Sequence, residues 1–182
     1  MKYIIASDIH GSAYWCEQLL SVFENENADK LILLGDLLYH GPRNDFPDEY
    51  DPRRVFDMLN RIKDKIVCVR GNCDSEVDQM VLEFPILADY ALLSMKNRTL
   101  FLTHGHLFNH ENPPLLQAGD LLFNGHFHTP CNKTLENGVI YANCGSVSLP
   151  KEGFPHSYLF LDEDVLYWKD LETGGFFDCL DL

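Results

Sequence analysis

The chain has 182 residues, 46% of them apolar and 23% charged, a globular balance that suits one domain and excludes disorder. Its 28 Asp and Glu against 14 Lys and Arg leave a net charge of −14, which excludes strong nonspecific binding to long nucleic acid, because phosphate contacts need a basic surface. The opening run MKYIIAS is too short for a signal-peptide core or a membrane span, so a cytoplasmic protein with no membrane partner is expected.

The first strand-like run is KYIIAS (2–7). It leads into SAYWCEQLLSVFENE (12–26), where Ser12 can cap a helix and Cys16, Leu19, Leu20 and Phe23 share one face. KLILLG (30–35) reads as the second strand, and the Pro-, Gly-, Asn- and Asp-rich stretch YHGPRNDFPDEYD (39–51) as a surface loop. PRRVFDMLNRIK (52–63) reads as a helix capped by Asp51, with Pro52 at its first position and Val55, Leu59 and Ile62 on one face. KIVCVRG (65–71), TLFLTHG (99–105), LLFNGH (121–126) and VIYANCG (139–145) are further strands, and SYLFLD, VLYWKDL and FFDCLDL add more within 155–182. Most runs are continuously apolar, the pattern of strands covered on both faces. The β-α-β-α-β opening predicts a parallel central sheet with helices outside it, against which a strand-rich second half packs. The expected fold is an α/β sandwich forming a single domain, 1–182. Six cysteines (16, 68, 73, 131, 144 and 179) include no Cys-x-x-Cys pair; they are expected to stay reduced and, Cys73 apart, to be buried small apolar residues.

Five successive strands end in polar clusters. The first offers Asp8 and His10, the second Asp36, the third Asn72, the fourth His104 and His106, and the fifth His126 and His128. In open α/β sheets ligands gather outside the carboxyl ends of the strands. Imidazoles, carboxylates and an amide oxygen without paired thiolates suit Mn, Fe, Zn, Ni or Co better than a Cys-ligated structural zinc. Asp8, His10, Asp36, Asn72, His104, His126 and His128 are too many ligands for one small ion that leaves room for substrate. They suit two ions sharing a carboxylate, roughly 3.5–4 Å apart, an arrangement that activates a hydroxide and neutralises phosphoryl charge. Gly11, Gly35, Gly71, Gly105 and Gly125 flank these residues and permit sharp turns and close backbone approach. His106 is expected to solvate its loop, and His40, His110 and His156 to lie on the surface.

The order Asp8-Ile9-His10, Gly35-Asp36, Gly71-Asn72-Cys73-Asp74, His104-Gly105, Gly125-His126-Phe127-His128 resembles the calcineurin-like metallophosphoesterase superfamily. SDIHGS, HGPRN, VRGNCDSEVDQM, LTHGHLF and GSVSLPK are similar to stretches of its small bacterial YfcE-type phosphodiesterases, over roughly residues 3–160. The resemblance implies a four-layer α/β/β/α sandwich, two mixed sheets flanked by helices. It implies one metal held by Asp8, His10, Asp36 and His128, and another by Asp36, Asn72, His104 and His126, with Asp36 as the bridge. Mn²⁺ is the usual ion of such enzymes, with Zn, Fe, Ni or Co as alternatives. The implied reaction is hydrolysis of a small phosphodiester by a metal-bridging hydroxide; a phosphomonoesterase or a non-catalytic protein-binding scaffold of the same fold are the alternatives. Asn72, Cys73 and Asp74 are the catalytic candidates, Asp74 as an orienting group. Many superfamily members carry His where Cys73 stands, and a thiol is the poorer proton donor. Esters with good leaving groups, such as aryl phosphodiesters, are therefore the expected substrates, and Cys73 either fills space or is a redox-sensitive or ligand-adjacent thiol. Arg43, whose planar fork matches phosphate oxygens, is the candidate substrate contact. The β-rich C-terminal part and the aromatic loop offer surfaces for a homo-oligomer.

Overall fold

The computed structural model describes residues 1–182. Strand β1 (Lys2–Ala6) leads to helix α1 (Ala13–Asn25), β2 (Lys30–Leu33) to α2 (Pro52–Asn60), and β3 (Ile66–Cys68) to a one-turn helix α3 (Glu76–Gln79). The two long helices start where their capping side chains stop them: the Ser12 hydroxyl accepts from the Trp15 N–H, and the Asp51 carboxylate accepts from the Arg54 N–H. Strands β4 (Ala91–Met95), β5 (Arg98–Leu102), β6 (Leu121–Asn124), β7 (Cys131–Thr134) and β8 (Ile140–Asn143) follow. The chain then returns with β9 (Ser157–Asp162), β10 (Val165–Asp170) and β11 (Phe176–Asp181).

Two mixed sheets result, one in the order β11-β10-β9-β1-β2-β3 and the other β4-β5-β6-β8-β7. β1, β2 and β3 run parallel, as do β5, β6 and β8. Within β1 and β2, Ile4, Ala6, Leu31 and Leu33 meet α1 and α2, whereas Ile5 and Ile32 face the second sheet and pack on Leu100, Leu102, Leu121 and Phe123. Both faces of these strands are buried, which explains their unbroken apolar runs. The expected α/β sandwich of two mixed sheets flanked by helices is therefore present. On the far side of the second sheet, Phe101, Leu122, Val139 and Tyr141 are covered by Phe108 and Leu116. These come from segment 103–120, which contains no helix; its adjacent Pro113 and Pro114 cannot sit inside one.

Several expectations need correction. Cys16, Cys68 and Cys144 are buried, but Cys131 is only half-buried and Cys179 is exposed, because β7 and β11 are edge strands of their sheets. His40, His110 and His156 are half-buried rather than superficial. His156 stacks on Trp15 with ring centroids 3.6 Å apart. No helix is long and apolar enough to cross a membrane.

Candidate metal centre

The strands end earlier than their apolar runs do, and the residues just beyond the ends turn sharply. Asp8, His10, Asp36, His126 and His128 have φ of 60°, 50°, 55°, 62° and 61°. Non-glycine residues rarely adopt this left-handed conformation, and they hold it only where surrounding structure compels it. Here the loops compel one another: the Asp8 N–H donates to the Gly35 carbonyl at 3.0 Å, His10 N–H to the Asp36 carbonyl at 2.9 Å, and Gly125 N–H to the His104 carbonyl at 2.8 Å. Glycine permits the approach. A Cβ on Gly71 would lie 2.1 Å from Asp36 Oδ1 and 2.3 Å from the Asp36 nitrogen. The close contact that glycine allows is thus between two loops.

These turns bring all seven metal-type candidates together. His128 Nε2 and His10 Nε2 lie 3.1 and 3.4 Å from Asp8 Oδ1. His10 Nε2 and His104 Nε2 lie 3.7 and 3.4 Å from Asp36 Oδ2. His104 Nε2 is also 3.1 Å from Asn72 Oδ1 and 3.2 Å from His126 Nδ1. The outer nitrogens are already engaged: Nδ1 of His10, His104 and His128 bonds the carbonyls of Tyr39, Leu34 and Leu149 at 2.8, 2.8 and 2.6 Å. A carbonyl can only accept, so each Nδ1 is a donor, and the inward-facing Nε2 is the nitrogen left to offer a lone pair once it carries no proton. Each carboxylate likewise has one oxygen tied down. Asp8 Oδ2 accepts from the His126 N–H at 2.9 Å, and Asp36 Oδ1 from the Cys73 N–H at 2.7 Å. Asp8 Oδ1 is buried with no hydrogen-bond partner. Donor atoms of Asp8, His10 and His128, and of Asp8, Asp36 and His104, lie within 4.8 Å of one another. A convergence of buried lone pairs around an unpartnered carboxylate oxygen fits divalent cations.

The electrostatics tell the same story. Burial alone would push Asp8 upward, but the charges of His128 and His104 hold its carboxyl well below the ordinary range. Burial opposes Asp36 in the same way, and His104 pulls it down. His104 is buried, which disfavours its charge, yet Asp8 and Asp36 raise it to about 9. Burial and the neighbouring His104 charge lower His126 to about 4. Burial, then the Asp36 charge, push the Cys73 thiol upward.

A cleft of about 70 Å³ opens above this cluster. His10, Asp36, Asn72, Cys73, His126 and His128 line it, together with Arg43 and Asn44 from one loop and Lys151 from another. Asp74, grouped by sequence with the catalytic candidates, does not reach the cleft. It is buried, with Oδ2 accepting the N–H groups of Asp36 and Gly71 at 2.8 and 2.7 Å and Oδ1 that of Leu37 at 2.9 Å. His106 does not simply solvate its loop either; its ring centroid lies 5.4 Å from that of His104, and its Nδ1 is buried.

Sequence reasoning noticed GSVSLPK only as part of a resemblance, and here it has a definite task. The Ser146 and Ser148 hydroxyls both donate to the Asp8 carbonyl at 3.0 Å. Leu149 supplies the carbonyl for His128, and the Lys151 N–H donates to the His128 carbonyl at 3.1 Å. Two serines two residues apart beside a Pro-Lys pair were the available signal.

The comparisons with known proteins agree with this geometry. A model of the calcineurin-like phosphoesterase superfamily domain matches residues 1–165. Phosphodiesterase YfcE of Escherichia coli (strain K12) is 49% identical over 166 residues, covering 91% of this chain and 90% of that protein. The solved structure of Yfce, a phosphoesterase from E. coli, has a TM-score of 0.96 at 46% identity and covers 100% of this chain and 99% of that one. A structure of an archaeal phosphodiesterase, 19% identical with a TM-score of 0.63 over 100% of both chains, shows the shared fold alone.

Proposed function

The chain belongs to the calcineurin-like phosphoesterase superfamily, and on that premise we propose that it is a metal-dependent phosphodiesterase acting on small phosphodiesters. The observation that carries this reading is Asp8 Oδ1, buried without a hydrogen bond and faced at 3.1 and 3.4 Å by imidazole nitrogens whose partner nitrogens are already engaged. Asp8, His10, Asp36 and His128 would hold one divalent ion, and Asp36, Asn72, His104 and His126 the other. Asp36 is the shared ligand because its Oδ2 faces both His10 and His104. When bound, such a metal pair supplies an activated water nucleophile and neutralises charge on the phosphoryl oxygens. Mn²⁺ is the first choice, with Zn, Fe, Ni or Co as alternatives.

The chain's own groups do the rest. The carbonyls of Tyr39, Leu34 and Leu149 fix the ring orientation of three histidines, and such outer contacts govern metal affinity. The Cys73 backbone N–H holds Asp36, while its thiol lines the cleft and could offer a leaving oxygen only a weak donor. That combination favours aryl and other good leaving groups. Arg43, which forms no ion pair with a carboxylate, can offer its guanidinium to a phosphate oxygen. Asp74 is a positioning residue. The chain works as one domain, 1–182, in the cytoplasm, and its β-rich C-terminal part and aromatic loop are the surfaces that could serve a homo-oligomer. The test is a panel of mono- and diesters assayed with defined divalent metals, beside elemental analysis of the purified protein. Metal-dependent cleavage of aryl diesters is expected; metal uptake without cleavage would favour the scaffold alternative, and preferential monoester cleavage the phosphatase.

A further inference from the structure

We propose that Lys151 reads a second anionic group on the substrate, carried on an arm of the ester beyond the phosphate that is hydrolysed. This deepens the phosphodiesterase reading and rests on it.

Lys151 is not a loose surface lysine. Its N–H donates to the His128 carbonyl at 3.1 Å, and its carbonyl accepts from the Phe154 N–H at 3.1 Å. The same segment clamps the Asp8 carbonyl through Ser146 and Ser148. The loop that braces two candidate ligands thus fixes where residue 151 enters the cleft, while the side chain remains exposed.

Its surroundings give the charge a purpose. The protein carries a net charge of −14, and many of its cations are matched to carboxylates, as in Lys2–Asp162, Lys63–Glu83 and Lys169–Glu26. Lys151 has no such partner, although Glu152 follows it directly. An unpaired cation held at the mouth of an anion-processing cleft serves binding better than stability. The scissile group does not require it. Two divalent ions would bring four positive charges against the carboxylates Asp8 and Asp36 and the hydroxide nucleophile, Arg43 would add one more, and a phosphodiester brings a single negative charge. Lys151 is in excess for that phosphate and lines the cleft from a different loop than Arg43 does. A phosphate, phosphonate or carboxylate on the neighbouring arm matches it.

Three p-nitrophenyl phosphodiesters test this with one leaving group: the ethyl ester, the carboxyethyl ester and the phosphonoethyl ester. For the wild-type protein loaded with Mn²⁺, kcat/KM is expected to be about five- to tenfold higher for an anionic arm than for ethyl, the size of one charge-assisted contact. A larger gain for phosphonoethyl than for carboxyethyl assigns the site to phosphate-like groups; the reverse assigns it to carboxylates. The ratio should fall to near one in Lys151→Ala, below one in Lys151→Glu, and survive in Lys151→Arg. It should shrink with added salt, which screens exposed charges. Lys133→Glu, the same charge change on the exposed strand β7, should leave the ratio unmoved. Equal handling of all three esters by the wild type, or a ratio indifferent to Lys151→Glu, overturns the proposal while leaving the phosphodiesterase reading intact. Cleavage of none of them overturns that reading instead. Calorimetry with ethyl phosphate and phosphonoethyl phosphate then still decides Lys151, through tighter binding of the second that Lys151→Ala must abolish.

Discussion

Asp74 offers a direct test of how the cleft is held open, because its carboxylate braces the site from behind without entering it. Its two oxygens accept three buried backbone N–H groups, those of Asp36, Leu37 and Gly71. In Asp74→Asn one oxygen becomes an amide that can only donate. If the remaining oxygen keeps Asp36 and Gly71, the Leu37 N–H faces another donor and is left unpaired, a loss of about 2 kcal/mol. The two surviving bonds lose their charge assistance, about 1–2 kcal/mol together. Relief of a buried charge works the other way, since burial already pushes this carboxyl above its ordinary range. That relief offsets about 1–2 kcal/mol. The net expectation is a destabilisation of about 2 kcal/mol, or roughly 4–8 °C in Tm for a chain of this size. The measurement is urea and thermal unfolding of metal-free protein, so that metal linkage does not contribute. Metal content should fall as well, because the loop carrying Asp36 loses its anchor although no proposed ligand was touched. A variant within about 0.5 kcal/mol of wild type, with normal metal content, would refute the bracing argument.

Asp36→Ala should abolish binding of both ions and reduce turnover to background, whereas His104→Ala should chiefly weaken one; metal stoichiometry by elemental analysis separates the two. His104 is raised from 6.5 to about 9 in the metal-free chain, so at neutral pH a cation must displace its proton. Mn²⁺ affinity should therefore rise with pH toward 9, and calorimetry in buffers of different ionisation enthalpy should detect proton release. The metal-free fold shows the opposite trend: this histidine's contribution is complete below 6.5 and is lost as pH rises through about 9. Cys73→His should speed hydrolysis mostly for poor leaving groups, read from the slope of rate against leaving-group pKa; equal gains at every leaving group would contradict a proton-donor role.

The candidate site was legible from sequence because the cluster is made of residue types that seldom gather by accident at strand ends. Asp8, His10, Asp36, Asn72, His104, His126 and His128 could be named before any contact was seen. The first sheet was legible for a related reason, since α1 and α2 carry side-chain caps and one apolar face each. The strand limits were less so. KIVCVRG looks like strand throughout, yet β3 stops at Cys68, because the Arg70 N–H leaves the sheet for the Ala88 carbonyl. The polar strand β7, CNKT, carries no apolar signal and is defined only by its pairing with β8. Ser146 and Ser148 lie 138 and 140 residues from the carbonyl they hold, a distance no local pattern spans.

What separates the readable from the unreadable residues is whether the side chain or the backbone does the work. The proposed ligands act through side chains, so their identity reveals them. Asp74, Gly71 and the serine pair act on the backbone of other loops, and they set the left-handed turns at Asp8 and Asp36 from which those side chains project. The first sheet supplies Asp8, His10, Asp36 and Asn72 and the second His104, His126 and His128, so the cluster lies across the seam between the sheets. Ligands drawn from both sides of a seam keep a shared geometry only if the seam itself does not slide. The buried contact of Ile5, Ile32 and Leu34 with Leu102 and Phe123 beneath the cluster provides that rigidity. Core packing and site chemistry are therefore one problem in this fold, and a cavity opened at Phe123 should loosen the candidate metal centre even though no proposed ligand has changed.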